Sequence, residues 1–475
     1  MIFSSNVFLF LFLPVFLATY YLVPARRRSL IILFASYAFY AWWRVDFLLL
    51  FIAVTVWNYV VGLNIANNLS VTRIAKRWCA LGVAVNLSVL GYFKYANFGV
   101  DVVNSVFHEL GMDPWLMTSV ILPIGISFYI FQAISYLIDV LRGDTPANRD
   151  FIEFSAFIAL FPQLIAGPVL RYKDVAGQFR HREHSFEIFS QGVQRFMIGF
   201  IKKIVIADSL APVVNAGFAI EDPTALDAAV AVLAYSAQLY FDFSGYADMA
   251  IGLGLMIGFR FMENFNQPYI SQSITEFWRR WHISLSSWLR DYLYIPLGGN
   301  RSGHTYRNLI LTMVLGGFWH GANWTFLIWG IWHGGILAIE KALKVDTSGK
   351  GFSVGKWLLT LVLVMLGWVV FRAESLSSAI GIYQALVGLF SVDATQWSLS
   401  HEYSLQIMDS QLFFLAVAWI IIVVRGFISR AEASHPLLIN QKVSQVASVV
   451  VLPLFVLAVM KLSAQSYTAF LYFQF

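Results

Sequence analysis

Long apolar stretches separated by short polar connections run along almost the whole chain, from Val7 to Met460. Several approach the roughly 20 residues that a helix needs to cross the hydrocarbon core of a bilayer, so the pattern predicts an all-α polytopic membrane protein. The first such segment lies near Val7 to Val23 and the last near Val443 to Met460. Others, such as Phe154 to Leu164, are too short to span and predict re-entrant or tilted helices. The expected span count is about eleven. No repeat, low-complexity tract or linker divides the pattern, so residues 1–475 read as one helical domain, with 461–475 as a tail beyond the last span.

Composition rules out the soluble alternative. Hydrophobic residues make up 59% of the chain and charged residues only 12%, against about a quarter charged in soluble domains. The net charge of +5 does not point to nucleic acid, because the basic residues sit in short clusters between apolar segments. Arg26, Arg27 and Arg28 follow the first segment and no basic residue precedes it, the reverse of a cleaved signal peptide. The positive-inside rule therefore puts the amino terminus outside and Arg26 to Arg28 in the cytoplasm. Arg73, Lys76 and Arg77, the Arg171 to Arg182 stretch, Lys341 to Lys356, and Arg425, Arg430 and Lys442 fall on the same side. The stretches Asp101 to Asp113 and Asp393 to Asp409 fall outside, as does the carboxyl terminus. Cys79 is the single cysteine, so neither disulfides nor thiolate metal sites are available.

Polar groups inside apolar segments carry the chemistry. His320 lies in Gly317-Phe318-Trp319-His320-Gly321-Ala322-Asn323-Trp324, within the apolar run from Leu309 to Ile339. An ionisable group at membrane depth costs roughly 2–3 kcal/mol on insertion scales, which points to a functional site; a core histidine satisfied by a neighbour is the alternative. The segment Thr275 to Tyr292 holds Trp278, Arg279, Arg280, Trp281, His282 and Arg290. Helical spacing puts Trp278, Trp281, His282 and Leu289 near one stripe, and an interfacial helix is the competing reading. Asp242 and Asp248, in Gln238 to Asp248, need partners in apolar surroundings and read as a structural polar core paired with Arg279, Arg280 or Arg290. The chain has no HExxH, Walker or G-x-S-x-G string, so metalloprotease, phosphoryl-transfer and serine-hydrolase chemistry lack their parts. Histidines without those parts suit acyl transfer to a hydroxyl, with an imidazole taking the hydroxyl proton and returning one to a leaving thiolate.

Trp319-His320-Gly321, the Trp278 to Tyr294 segment and Phe241-Asp242-Phe243-Ser244-Gly245 resemble the membrane-bound O-acyltransferase (MBOAT) family. The similarity runs nearly end to end through Phe3-Ser4-Ser5-Asn6, Tyr40-Ala41-Trp42-Trp43, Gly91-Tyr92-Phe93-Lys94-Tyr95 and Leu122 to Tyr129. The resemblance implies a helical ring around a central funnel, where a cytoplasmic acyl donor meets an outward acceptor. It implies His320 as the essential histidine, acting as general base, and His282 as a second, positioning one. Trp278, Arg279, Trp281, Arg290, Trp319 and Asn323 become funnel and substrate-binding candidates. His333, in a second Trp-His-Gly string thirteen residues on, would face another way on the helix and reads as structural. The donor would be a thioester, acetyl-CoA first or an acyl carrier protein, with no bound cofactor and no metal. Lys173, Arg279 and Arg280 are candidates for a CoA phosphate, although topology explains them equally well.

Within the family the likeness is to proteins that O-acetylate secreted exopolysaccharide in the bacterial inner membrane, alginate first, with cellulose or another envelope polymer as the alternative. Periplasmic acetyltransferase partner proteins would complete the transfer. Phe470-Leu471-Tyr472-Phe473-Gln474-Phe475 resembles a terminal F-x-Y-x-x-F motif, which implies Tyr472 as an acyl relay; an interfacial aromatic anchor is the plain alternative. A non-enzymatic export channel or an assembly subunit stays open from the residues alone. The channel reading lacks the symmetry between halves that transporters often show.

Overall fold

The computed structural model describes residues 1–165, 167–345, 351–434 and 440–464, and no strand occurs among them. Four described helices are long and apolar enough to cross a membrane: Val45–Asn67, Thr72–Glu109, Val354–Arg372 and Asp409–Arg430. The pair Leu376–Phe390 and Ala394–Gln406, bent by 110°, makes a fifth if it is one broken span. Length and composition alone therefore stop short of eleven. A helix such as Ala225–Met256 is long enough, but it carries Gln238, Asp242 and Asp248, all buried, which face protein instead of lipid. Large apolar side chains including Phe10, Leu22, Phe34, Leu49 and Leu358 are exposed, as a hydrocarbon solvent permits.

The chain forms two compact units, Met1–Val193 with Ala250–Met262, and Gln194–Met249 with Glu263–Phe475. In the first, Val45–Asn67, Thr72–Glu109 and Ile126–Arg142 pack together. Their contact depends on small residues, since a side chain on Gly62 would meet the Tyr136 ring at 2.6 Å and one on Gly82 would meet Leu137 at 2.5 Å. Buried Asn58 and Asn86 exchange amide hydrogen bonds of 3.0 and 2.7 Å, which pins the register of the first two helices. The short apolar stretch that begins at Phe154 is two helices, Phe151–Ala159 and Phe161–Leu164, buried along most of their length. Lys173 is held between Asp139 and Asp144 at 3.0 Å each, so its ammonium serves this unit rather than a donor phosphate.

The second unit is organised around two close helix crossings. At the first, the carbonyl of Gly245 lies 2.4 Å from where a Gly199 side chain would begin, and that of Gly199 lies 2.8 Å from the matching point on Gly245. A π-helical turn at Lys202–Ala207 follows and directs neighbouring lysines to different acids. Lys203 meets Asp242 at 2.6 Å and Asp208 at 2.7 Å, whereas Lys202 meets Asp248 at 2.6 Å. Asp248 also accepts from Arg195 Nε at 2.7 Å. Asp242 and Asp248 are thus buried and ion-paired, and the cations that meet them are Arg195, Lys202 and Lys203 rather than the expected Arg279, Arg280 or Arg290. The helix crossing at Gly199 and Gly245 brings these groups together, and no local spacing announces it.

At the second crossing, Thr305–His320 and Trp324–Ala342 run antiparallel with their backbones nearly touching. A side chain on Gly330 would lie 2.5 Å from the Met313 carbonyl oxygen, and one on Gly334 would lie 2.8 Å from Ile310 Cα. Gly330→Ala is expected to lower stability by about 1–3 kcal/mol, read as a lower unfolding temperature in detergent. Gly335→Ala, which meets nothing within 4 Å, is the control and is expected to be neutral or slightly stabilising.

Candidate active site

The apolar run around His320 is not one helix. Gly321 is extended, with φ −159° and ψ 151°, and its missing side chain makes room for the Phe326 ring. Asn323 then caps the next helix by accepting from Thr325 N at 3.1 Å, and its amide donates to the Glu374 carbonyl at 3.2 Å. His320 is therefore the last residue of its helix, at the turn of a helical hairpin. It is 8% exposed, among the rings of Trp319, Trp329 and Phe371 at centroid distances of 5.0, 5.3 and 5.2 Å.

The hairpin changes the geometry of His333. A thirteen-residue offset separates two faces of a continuous helix, but here the histidines lie on antiparallel neighbours. Trp329 stands against both, 5.3 Å from His320 and 4.9 Å from His333. Trp278 joins the group, 5.6 Å from Trp329 and 5.3 Å from His333. Both ring nitrogens of His333 and the indole N–H groups of Trp278 and Trp329 are buried without a hydrogen-bond partner among the described residues. Such a concentration of unpaired polar atoms is costly unless another molecule meets them. Tryptophan 329 was not singled out from the sequence, although its place one turn before His333 was a legible sign.

The Trp278 to Leu289 stripe also breaks. Ile274–Arg280 and Ile283–Leu289 are separate helices, with His282 between them in the left-handed region at φ 43°. Backbone bonds to the 264–266 segment, Asn266 N to Arg280 O and Ile283 N to Asn264 O at 2.9 Å each, hold the bend open. His282 is buried against Phe243 and Phe265 at 4.6 and 6.4 Å, away from the rings that surround His320. The Asn264 amide oxygen also accepts from Ser284 N and Oγ, so His282 Nδ1 donates to it at 3.2 Å. Its Nε2 is left as a proton acceptor without a partner among the described residues. Trp281 connects the two neighbourhoods, 5.0 Å from both Phe265 and Trp368.

Trp278, Arg279 and Arg290 line a cavity of about 990 Å³ beside this aromatic group. Lys341 and Lys344 line it too. Its one carboxylate among the described residues, Glu340, accepts from Ile274 N at 2.6 Å and from Thr275 N and Oγ1 at 2.9 and 2.7 Å, and so is committed to holding the Ile274–Arg280 helix. Arg290 pairs with Asp291 at 2.7 Å, and Arg280 is turned to Glu276 at 3.0 Å. The cavity is cationic on balance, and its tryptophan wall leads to Trp329 and the two histidines. Trp281 and Trp319, also expected at the funnel, are buried in ring packing. Asn323 is a helix cap. No three His, Cys, Asp or Glu side chains are gathered for a metal ion among the described residues. Tyr472 lies outside the described residues. The structure continues the last helix to Ala464, so Lys461, expected to open the tail, is helical and its ammonium donates to Ser209 Oγ.

The fold and the site define a helical membrane protein with buried histidines and a cationic cavity lined by Trp278. Residues 145–377 match the membrane-bound O-acyltransferase family. The whole chain is 57% identical over 504 residues to the probable alginate O-acetylase AlgI of Azotobacter vinelandii, covering 100% of both, and 57% identical over 490 residues to that of Pseudomonas putida, again at full coverage. It is 38% identical over 432 residues to the peptidoglycan O-acetyltransferase of Helicobacter pylori, covering 82% of this chain and 81% of the relative. The chain belongs to the membrane-bound O-acyltransferase family, and it is an O-acyltransferase.

Proposed function

We propose that this protein transfers acetyl groups from a cytoplasmic thioester, acetyl-CoA, for O-acetylation of secreted alginate. The observation that carries this reading is the cationic cavity lined by Trp278, whose ring meets Trp329, the ring packed against His320. Phosphates of the donor pair with Arg279, Lys341 and Lys344 at the mouth, and the thioester extends past Trp278. The unpaired indole N–H groups of Trp278 and Trp329 receive the carbonyl oxygen as charge develops on it. His320 takes the proton of the attacking hydroxyl, the new C–O bond forms, the C–S bond breaks, and the proton passes to the thiolate. His282 positions the acceptor side, and His333 belongs to the scaffold of the aromatic group.

The protein sits in the bacterial inner membrane with both termini periplasmic, in line with the basic connections. Tyr472 acts as a relay that takes the acetyl group outward and hands it to periplasmic acetyltransferase partners. Alginate is preferred over cellulose, peptidoglycan or another envelope polymer because the alginate-named relatives match at full length and higher identity. The test is acetyl release from acetyl-CoA by the purified protein, followed by transfer in cells making each polymer. Lys341→Gln with Lys344→Gln is expected to raise the KM for acetyl-CoA about tenfold with little change in kcat, as loss of charge-assisted phosphate contacts does. An unchanged KM removes the cavity from the donor path, and acetylation of cellulose without alginate overturns the polymer assignment.

A further inference from the structure

The first unit contains a second cationic cavity, of about 780 Å³, that the acyl-transfer chemistry does not use. The Arg26 to Arg28 turn and the Arg180 to His184 loop meet there, far apart in sequence but assigned to one side of the membrane by charge. Its three acids have hydrogen-bond or ion-pair partners of their own, and Glu153 is near enough to Arg180 and Arg182 to act on both charges. Asp150 caps a helix by accepting from Ile152 N and Glu153 N at 2.8 and 3.1 Å, Glu153 accepts from Asn148 at 3.1 Å, and Glu183 faces Arg260 at 3.5 Å. None of Arg26, Arg27, Arg28, Arg180 or Arg182 has a carboxylate at ion-pair distance among the described residues.

Two of these arginines are fixed in place, which loose topological charges are not. Arg28 stacks over Tyr20 and Tyr21 at 5.1 and 5.6 Å, and Arg182 stacks over Phe259 at 5.2 Å and Tyr20 at 6.0 Å. Arg182 also donates to Ser29 Oγ at 2.9 Å and to the Tyr20 hydroxyl at 3.3 Å. The Nε of Arg28 is buried and has no hydrogen-bond partner among the described residues. Two guanidinium groups thus share one tyrosine ring, neither ion-paired to a carboxylate among the described residues. The His184 ring, 3.2 Å from Arg28, is held below the ordinary histidine range by burial and then by that guanidinium. Ile152, on the cavity wall, presents exposed apolar surface, and Leu22 and Phe186, three residues before Ala25 and two after His184 in the chain, are exposed as well.

We propose that this cavity is a binding site for a phosphate ester, seated between Arg28 and Arg182. The apolar surface next to it suits the acyl chains of an anionic phospholipid, whose headgroup supplies the phosphate. The pairing of fixed guanidinium groups with phosphate oxygens is charge-assisted, and it relieves the repulsion between Arg28 and Arg182.

The test uses the full-length protein in detergent, with retention of phosphatidylglycerol and phosphatidylcholine read by native mass spectrometry. Phosphatidylglycerol is expected to be retained in preference, and Arg28→Gln with Arg182→Gln is expected to weaken it by roughly fivefold per arginine. Arg28→Lys, which keeps the charge but not the fork, is expected to lose less and covers the case in which the double variant does not fold. Displacement of the lipid by millimolar inorganic phosphate or adenosine bisphosphate assigns the site to a soluble phosphate, whereas resistance to both assigns it to the lipid. Equal retention of the two lipids by wild type, unaltered by either variant and by phosphate, overturns the proposal.

Discussion

Cells that lack the native protein and carry His320→Ala are expected to secrete polymer with acetyl ester content at background, while membrane abundance stays at the wild-type level. A positioned general base contributes roughly 10²–10⁴-fold, so loss of the imidazole removes transfer on the time scale of polymer secretion. The position favours a clean result. His320 ends its helix at Gly321, and its ring fills space between Trp319, Trp329 and Phe371 without carrying a helix crossing. His320→Gln separates roles further, since an amide keeps much of the volume and hydrogen bonding but cannot accept the proton; it is expected to be as inactive as His320→Ala. His282→Asn, chosen because Asn tolerates the left-handed backbone at φ 43°, is expected to lose about tenfold, as a positioning residue does. Acetylation that persists in His320→Ala with polymer secretion unchanged assigns His320 to the scaffold and revives the export reading.

Lys203→Met is expected to reduce folded protein sharply, with about 3–5 kcal/mol of stability lost, read as falling membrane abundance and unfolding temperature. Lys203 is 1% exposed and lies between Asp208 and Asp242, so its removal leaves the buried carboxylate of Asp242 and the largely covered one of Asp208 without their shared cation. The cost comes from those stranded charges more than from the lost attraction. Lys203→Met combined with Asp242→Asn is therefore expected to recover part of the loss, because one carboxylate goes with the ammonium. A double variant no better than the single one shows that the cluster acts by shape rather than charge. The same argument gives Asp248 a milder phenotype, since both Lys202 and Arg195 approach it from partly exposed positions.

Much of the architecture was legible in the residues. The apolar runs and clustered cations announce a membrane protein whatever the packing, because only lipid accommodates so much Phe, Leu and Trp, and the Trp319-His320-Gly321 string marks an ionisable group inside an apolar run. The structure draws Arg26 to Arg28 and Arg180, far apart in the chain, into one cavity. Where local pattern misled, a break in a helix was the cause. The stripe through His282 and the offset from His320 to His333 both assumed continuous helices; the chain bends at His282, where backbone bonds to the 264–266 segment hold it, and turns at Gly321, where the Phe326 ring and the Asn323 cap take over.

Periodicity reports which face of a helix is apolar, but it does not report which helix that face meets. Sequence by itself determined the solvent and, through the family resemblance, the class of chemistry, since transfer energies and residue types belong to each position alone. Tertiary structure decided the partners. Gly199 against Gly245 selected Lys202 and Lys203 for the buried aspartates, Gly330 against Met313 brought His333 and His320 to either side of Trp329, and Glu340 held the helix that carries Trp278. Those choices arise from backbone approach between residues far apart in the chain, where the absence of a side chain sets the distance.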